Sequence, residues 1–75
     1  MIHIGYIIRR EREAQGLSRR ELADRARIGH STIYLLESER GYPRLDSVVL
    51  VAEGLGIPLS LIIKEAERVE REGED

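Results

Sequence analysis

The chain contains no cysteine, so no disulfide and no thiolate metal site is open to it, and nothing points to an oxidising compartment. Tryptophan and phenylalanine are also missing, which leaves an apolar content of mostly aliphatic Ile, Leu, Val and Ala that suits helix packed on helix. No apolar run reaches about eighteen residues, and MIHIGYIIRR at the N-terminus has no basic leader, long apolar stretch or cleavage signature. The chain is therefore expected to be cytoplasmic, neither exported nor membrane-spanning. Two histidines and scattered carboxylates give no metal-ligand spacing and no nucleophile with its base. A single domain of 75 residues is also not expected to hold a pocket of several hundred cubic ångströms. No metal, cofactor or enzymatic activity is expected.

What is present is an uneven charge distribution. The net charge is −2, but residues 1–45 hold nine Arg against six acids, a net of +3, while residues 46–75 hold three basic residues against eight acids, a net of −5. Beyond about 8 to 10 Å in physiological salt only the local field counts. A weakly acidic chain can thus still present a basic face to a polyanion.

The apolar spacing predicts an all-α chain with helices over 4–15, 18–26, 30–38, 45–55 and 59–72, and no segment alternates as a strand does. Gly16, the Arg40-Gly41-Tyr42-Pro43 stretch, and Gly54, Gly56 and Pro58 supply the breaks. Residues 1–75 form one domain, with Glu70 to Asp75 expected to fray. In the last helix Glu67 and Arg71 stand at i, i+4 in the favourable order.

The segment Leu17 to Glu37, LSRRELADRARIGHSTIYLLE, is the most specific. Ser18 can cap a helix while Glu21 reaches back to the Ser18 amide. Leu22, Ala23 and Ala26 then form a buried stripe, Ile28 a buried hinge, and Gly29 an N-cap for the next helix. There Ile33 and Leu36 face the core, which leaves His30, Ser31, Tyr34, Leu35 and Ser38 outside. A merely solvated face would carry more Glu and Lys. Two short helices, a tight turn and this outward row are the layout of a DNA-reading helix-turn-helix.

With IGYIIRREREAQGLSRRELA and IGHSTIYLLESERGYPRLDSVVLVAEGLGIPLSLII in place, the chain resembles the Xre/Cro/phage-repressor family of helix-turn-helix DNA-binding proteins over residues 4–63. In compact size and apolar final helix it is also similar to the controller proteins of restriction-modification systems. The resemblance implies a five-helix, lambda-repressor-like DNA-binding domain with the helix-turn-helix at helices 2 and 3. It implies that Arg12 pairs with Glu37 in a buried scaffold ion pair, and that His30, Ser31, Tyr34 and Leu35 face the bases. His30 and Ser31 can hydrogen-bond base edges, whereas Leu35 fits a thymine methyl or, equally, another protein. His30 has the alternative of an idle cap. Sequence-neutral phosphate contacts fall to Arg19, the backbone at Gly29, Thr32 and Arg40, with Arg9, Arg10, Arg20 and Arg44 left to solvate the domain.

The chain departs from the family pattern at several positions. Arg27 and Glu39 stand where glycine is frequent, so Arg27 is expected to carry a positive φ. Glu11 replaces an apolar residue and Tyr6 and Ile7 replace polar ones, which implies a rotated first helix or an exposed apolar spot. Leu50, Leu61 and Ile63 are apolar where solvated residues are common, and with Ile62 and Val69 they imply a homodimer interface, the alternative being a longer core under the last helix. The expected partners are double-stranded DNA and a second copy, with a toxin or RNA polymerase as further protein partners, and no membrane. The expected function is a transcriptional regulator, set against an antitoxin-type protein-interaction module on the same scaffold.

Overall fold

The computed structural model describes residues 3–73. Helices α1 (Ile4–Ala14), α2 (Arg19–Ala26), α3 (His30–Ser38), α4 (Leu45–Leu55) and α5 (Leu59–Gly73) follow one another, with no strand among the described residues. The expected boundaries differ by a residue at three ends. Gln15 is the cap of α1 and Ser18 the cap of α2, so neither lies inside its helix. At the far end α5 stays helical through Gly73 instead of fraying from Glu70, and the last two residues lie outside the described range.

Each helix contributes one apolar face to a single core. Ile7 and Ile8 come from α1, Leu22, Ala23 and Ala26 from α2, Ile33 and Leu36 from α3, Val48, Val51, Ala52 and Leu55 from α4, and Ile62 and Ala66 from α5. In α1 the unusual pair is resolved by position: Ile7 is core, while Tyr6 is the exposed apolar spot. The Cα radius of gyration is 11.5 Å. A well-packed chain of this length gives about 11 Å, so no helix stands away from the core.

Two close approaches set the helix spacing. A Cβ at Gly54 of α4 would stand 3.0 Å from the Ala26 amide nitrogen and 3.2 Å from its Cα, which lets α4 lie directly on α2. A Cβ at Gly5 of α1 would collide with the Leu36 carbonyl oxygen, so α1 meets the end of α3 backbone to backbone.

The C-terminal half is held by charge as well as packing. Arg68 bonds Glu65 at 3.0 Å and Glu72 at 2.8 Å along α5, and Arg10 of α1 reaches Glu65 at 3.1 Å. Hydrogen bonds from Arg68 and then Arg10 hold the Glu65 carboxyl below the usual carboxylate range. The expected Glu67–Arg71 pair does not form: both side chains are exposed, and the i, i+4 bridge of this helix is Arg68–Glu72.

Helices α1, α2 and α4 end in the same way. At each, the N–H of the left-handed residue donates three residues back and the next N–H donates five residues back. Gly16 and Leu17 do so after α1, Arg27 and Ile28 after α2, and Gly56 and Ile57 after α4. Glycine occupies the left-handed position twice, at φ 70° and 71°, but α2 places Arg27 there at φ 59°. A side chain in that conformation costs about 1 kcal/mol. Arg27→Gly should therefore raise the thermal midpoint by about 4 to 8 °C, and an unchanged or lower midpoint in a melting experiment contradicts strain at this residue.

Candidate nucleic-acid interface

The first helix of the bihelical unit starts at a reciprocal cap. The Glu21 amide donates to Ser18 Oγ at 3.0 Å, and the Ser18 amide donates to Glu21 Oε1 at 2.8 Å. The Ser18 backbone bond, followed by its hydroxyl, lowers the Glu21 pKa from the ordinary carboxylate value. The unit then turns through Arg27 and Ile28. Ile28 is half-buried against the core, a less enclosed hinge than expected, and its N–H donates to the Ala23 carbonyl at 3.1 Å. Gly29 takes an extended conformation as the N-cap of α3, and its carbonyl accepts from the amides of Thr32 at 3.0 Å and Ile33 at 3.4 Å.

Ile33 and Leu36 point inward from α3, and His30, Ser31, Tyr34, Leu35 and Ser38 are all exposed. Tyr34 is 52% and Leu35 54% exposed. Large side chains left this open on a nine-residue helix make a row that can enter a groove. Thr32 sits half-buried at the edge of that row. The Ser38 hydroxyl donates to the Leu35 carbonyl at 2.8 Å, which occupies it within the last turn.

Behind this row lies the ion pair that holds it. Arg12 Nε donates to Glu37 Oε2 at 2.7 Å, Arg12 Nη2 to Glu37 Oε1 at 3.0 Å, and Arg12 Nη1 to the Leu17 carbonyl at 2.8 Å. The side chains are 9% and 3% exposed. The hydrogen bond that Arg12 donates to Glu37 raises the Arg12 pKa against the opposing effect of burial. A second cation joins them: Arg19 Nε donates to Glu37 Oε1 at 3.0 Å, and its guanidinium lies 5.7 Å from the Tyr34 ring centroid. Arg19 was expected only at phosphate. Its link to Glu37 connects residues far apart in sequence, for which no local spacing signals.

The remaining arginines sort by partner. Arg9 bonds Glu13, Arg10 bonds Glu11 and Glu65, and Arg44 bonds Asp46. Arg20, Arg25, Arg27, Arg40 and Arg71 are exposed without an ion pair among the described residues. Arg20 stands in the first turn of α2, next to Arg19, and Arg40 follows α3.

A groove of about 520 Å³ opens between the start of α1, the end of α3 and the segment into α4, with Ile4, Leu35, Arg40, Tyr42 and Pro43 in its lining. A space this large was not expected in a chain of this length. It arises because the Arg40–Arg44 segment stands away from the core: Tyr42 is 91% exposed.

Of the residues expected at a dimer interface, Leu50 and Leu61 are exposed and Ile63 is half-buried. Ile62 is fully buried and Val69 packs against the chain's own core. Leu59, Ile62, Ala66 and Val69 recur at helical spacing and form the inward stripe of α5, so Ile62 has no surface to offer a second copy. No group of His, Cys, Asp and Glu among the described residues is arranged to hold a metal ion, and no single helix among them is long and apolar enough to cross a membrane.

Five helices around one core, the second and third joined by a capped turn with an open outer row, define a helix-turn-helix domain. The helix-turn-helix family profile matches residues 8–62, and the chain belongs to that family, as an Xre/Cro-type DNA-binding transcription regulator. No curated protein matches the chain. Among solved structures it is similar to a tyrosine-to-alanine mutant of the Restriction-Modification Controller Protein C.Esp1396I, at TM-score 0.84 and 16% identity over 93% of this chain and 91% of that one. A tyrosine-to-phenylalanine mutant of the same protein aligns at TM-score 0.79 and 17% identity over 88% of this chain and 84% of that one. Those likenesses establish the fold.

Glu37 is the only acidic partner that Arg12 and Arg19 share. Removing its charge strands the buried Arg12 guanidinium at a cost of about 3 to 5 kcal/mol. Glu37→Gln should lower the urea-unfolding free energy by at least about 3 kcal/mol, and a loss below about 1 kcal/mol would show that the pair carries little of the fold.

Proposed function

We propose that the chain regulates transcription as a homodimer that binds an inverted-repeat operator, with α3 of each copy in successive major grooves about 34 Å apart. The observation that carries this reading is the row of His30, Ser31, Tyr34 and Leu35, open along one helix and flanked by the uncompensated Arg20 and Arg40. His30 and Ser31 read base edges, Tyr34 and Leu35 add contact area, and Arg40, Arg20, Arg19, Thr32 and the Gly29 backbone meet phosphates. The likeness to C.Esp1396I, a restriction-modification controller protein, agrees with a regulatory role. Occupancy is set by dimerisation and by competition with RNA polymerase, and the protein acts in the cytoplasm.

Leu50 and Leu61, each 39% exposed, with half-buried Ile63, supply apolar surface on adjoining helices for the second copy. One observation favours a second reading, a scaffold that contacts another protein as an antitoxin does. It is the groove beside Leu35 and Tyr42. A protein-contact module should show little salt-sensitive DNA binding, which separates the two.

Selection from a random DNA pool should enrich an inverted repeat, bound with a log-log salt slope near −0.9 for every phosphate neutralised; no enriched motif overturns the regulator reading. Leu61→Glu should convert the protein to monomer in sedimentation at micromolar concentration and leave its helical circular dichroism intact. A parent chain that sediments only as monomer overturns the dimer.

A further inference from the structure

Arg19 stands between the buried and the outward sides of α3. Its Nε donates to Glu37 Oε1 at 3.0 Å, on the side facing the core, while its guanidinium carbon lies 5.7 Å from the centroid of the Tyr34 ring, on the side facing out. Arg12 bonds Glu37 through Nε and one terminal nitrogen and the Leu17 carbonyl through the other, so it fixes the carboxylate. Glu37 held in this way fixes in turn the plane of the Arg19 guanidinium. A guanidinium so held offers the Tyr34 ring a fixed face. The two terminal nitrogens of Arg19 make no hydrogen bond among the described residues, and its side chain is 40% exposed.

Tyr34 itself is half exposed, and Arg19 is its one aromatic–cation contact among the described residues. An open tyrosine on a helix has several rotamers, and binding one of them costs ordering entropy unless the free protein already favours it. The contact with Arg19 supplies that preference. We propose that Arg19 is a positioning residue for base readout, which holds the Tyr34 ring in one pose on the outer face of α3 from the anchor of Glu37. The inference rests on the reading of the chain as a sequence-specific DNA binder. It changes the role of Arg19 from a sequence-neutral phosphate contact to one that also bears on which sequence is bound.

Lysine separates the two roles. It keeps the charge for phosphate but has neither a second nitrogen to bond Glu37 while stacking nor a planar face. With the full chain and the operator obtained by pool selection, affinities are measured for that site and its single-base variants across a salt series. Tyr34→Ala should relax preference at particular base pairs. At those pairs Arg19→Lys should lower discrimination roughly threefold to tenfold while keeping the parent salt slope, and the double variant should lose no more than the larger single loss. Unchanged discrimination by Arg19→Lys, additive losses in the double variant, or no base pair relaxed by Tyr34→Ala each overturn the inference while leaving the regulator reading in place. A parent chain that selects no site overturns both. Tyr34→Ala leaves the Glu37 ion pairs untouched, so its result stands even where an Arg19 variant unfolds.

Discussion

Glu37 is the point to which three helices are tied. It lies in α3 and receives Arg12 from α1 and Arg19 from the first turn of α2, and Arg12 extends the tie to the Leu17 carbonyl in the connection between α1 and α2. At an effective dielectric of about 20, charges about 4 Å apart attract by about 4 kcal/mol, which is close to the several kcal/mol lost when each is taken out of water. The cluster therefore adds little net stability against an apolar substitute. Its contribution is direction. A planar guanidinium bonded through two nitrogens to one carboxylate allows little rotation of either partner, and so of the helix that carries Glu37.

Direction matters because α3 has little of its own to hold it. It is short, begins at a glycine without a side-chain cap, has no acidic residue in its first turn and no basic residue in its last. Isolated, such a segment is a poor helix. Its position comes from outside: Ile33 and Leu36 in the core, Glu37 between the two arginines, and Gly5 of α1 against the Leu36 carbonyl. Since all of these act on the inward side, the side chains of His30, Ser31, Tyr34 and Leu35 form no hydrogen bond or ion pair among the described residues and stay open to solvent.

Much of this was legible in the chain, and what was not has a common cause. Helix positions followed from the 3.6-residue spacing and from breaks at glycine and proline, and the Ser18–Glu21 cap from its own tetrad, because those are local interactions. The outward His30, Ser31, Tyr34 and Leu35 followed from where Ile33 and Leu36 had to point. The Arg12–Glu37 pairing came from resemblance, and nothing in composition or spacing signals it. The link of Arg19 to Glu37 and Tyr34, the bond from Arg10 to Glu65 and the groove around Tyr42 depend on how helices distant in sequence settle together. Ile62 is different: the stripe Leu59, Ile62, Ala66 and Val69 was readable, and an excess of apolar residues was allowed to outweigh it.

The charge partition also takes a more definite form in three dimensions. The acidic half is not simply repulsive towards a polyanion, because Arg68 is shared by Glu65 and Glu72, and Glu65 is shared in turn with Arg10. Charges compensated at about 3 Å produce little field a Debye length away. Of the exposed arginines without such partners among the described residues, Arg20 and Arg25 belong to α2, Arg27 to the turn before α3, Arg40 to the segment after it, and Arg71 to α5. In the Glu37 cluster one carboxylate bonds two guanidinium groups, with Glu13 a further 4.0 Å from Arg12. In a chain with a net charge of −2, part of the uncompensated positive charge therefore stands on the segments that adjoin α3.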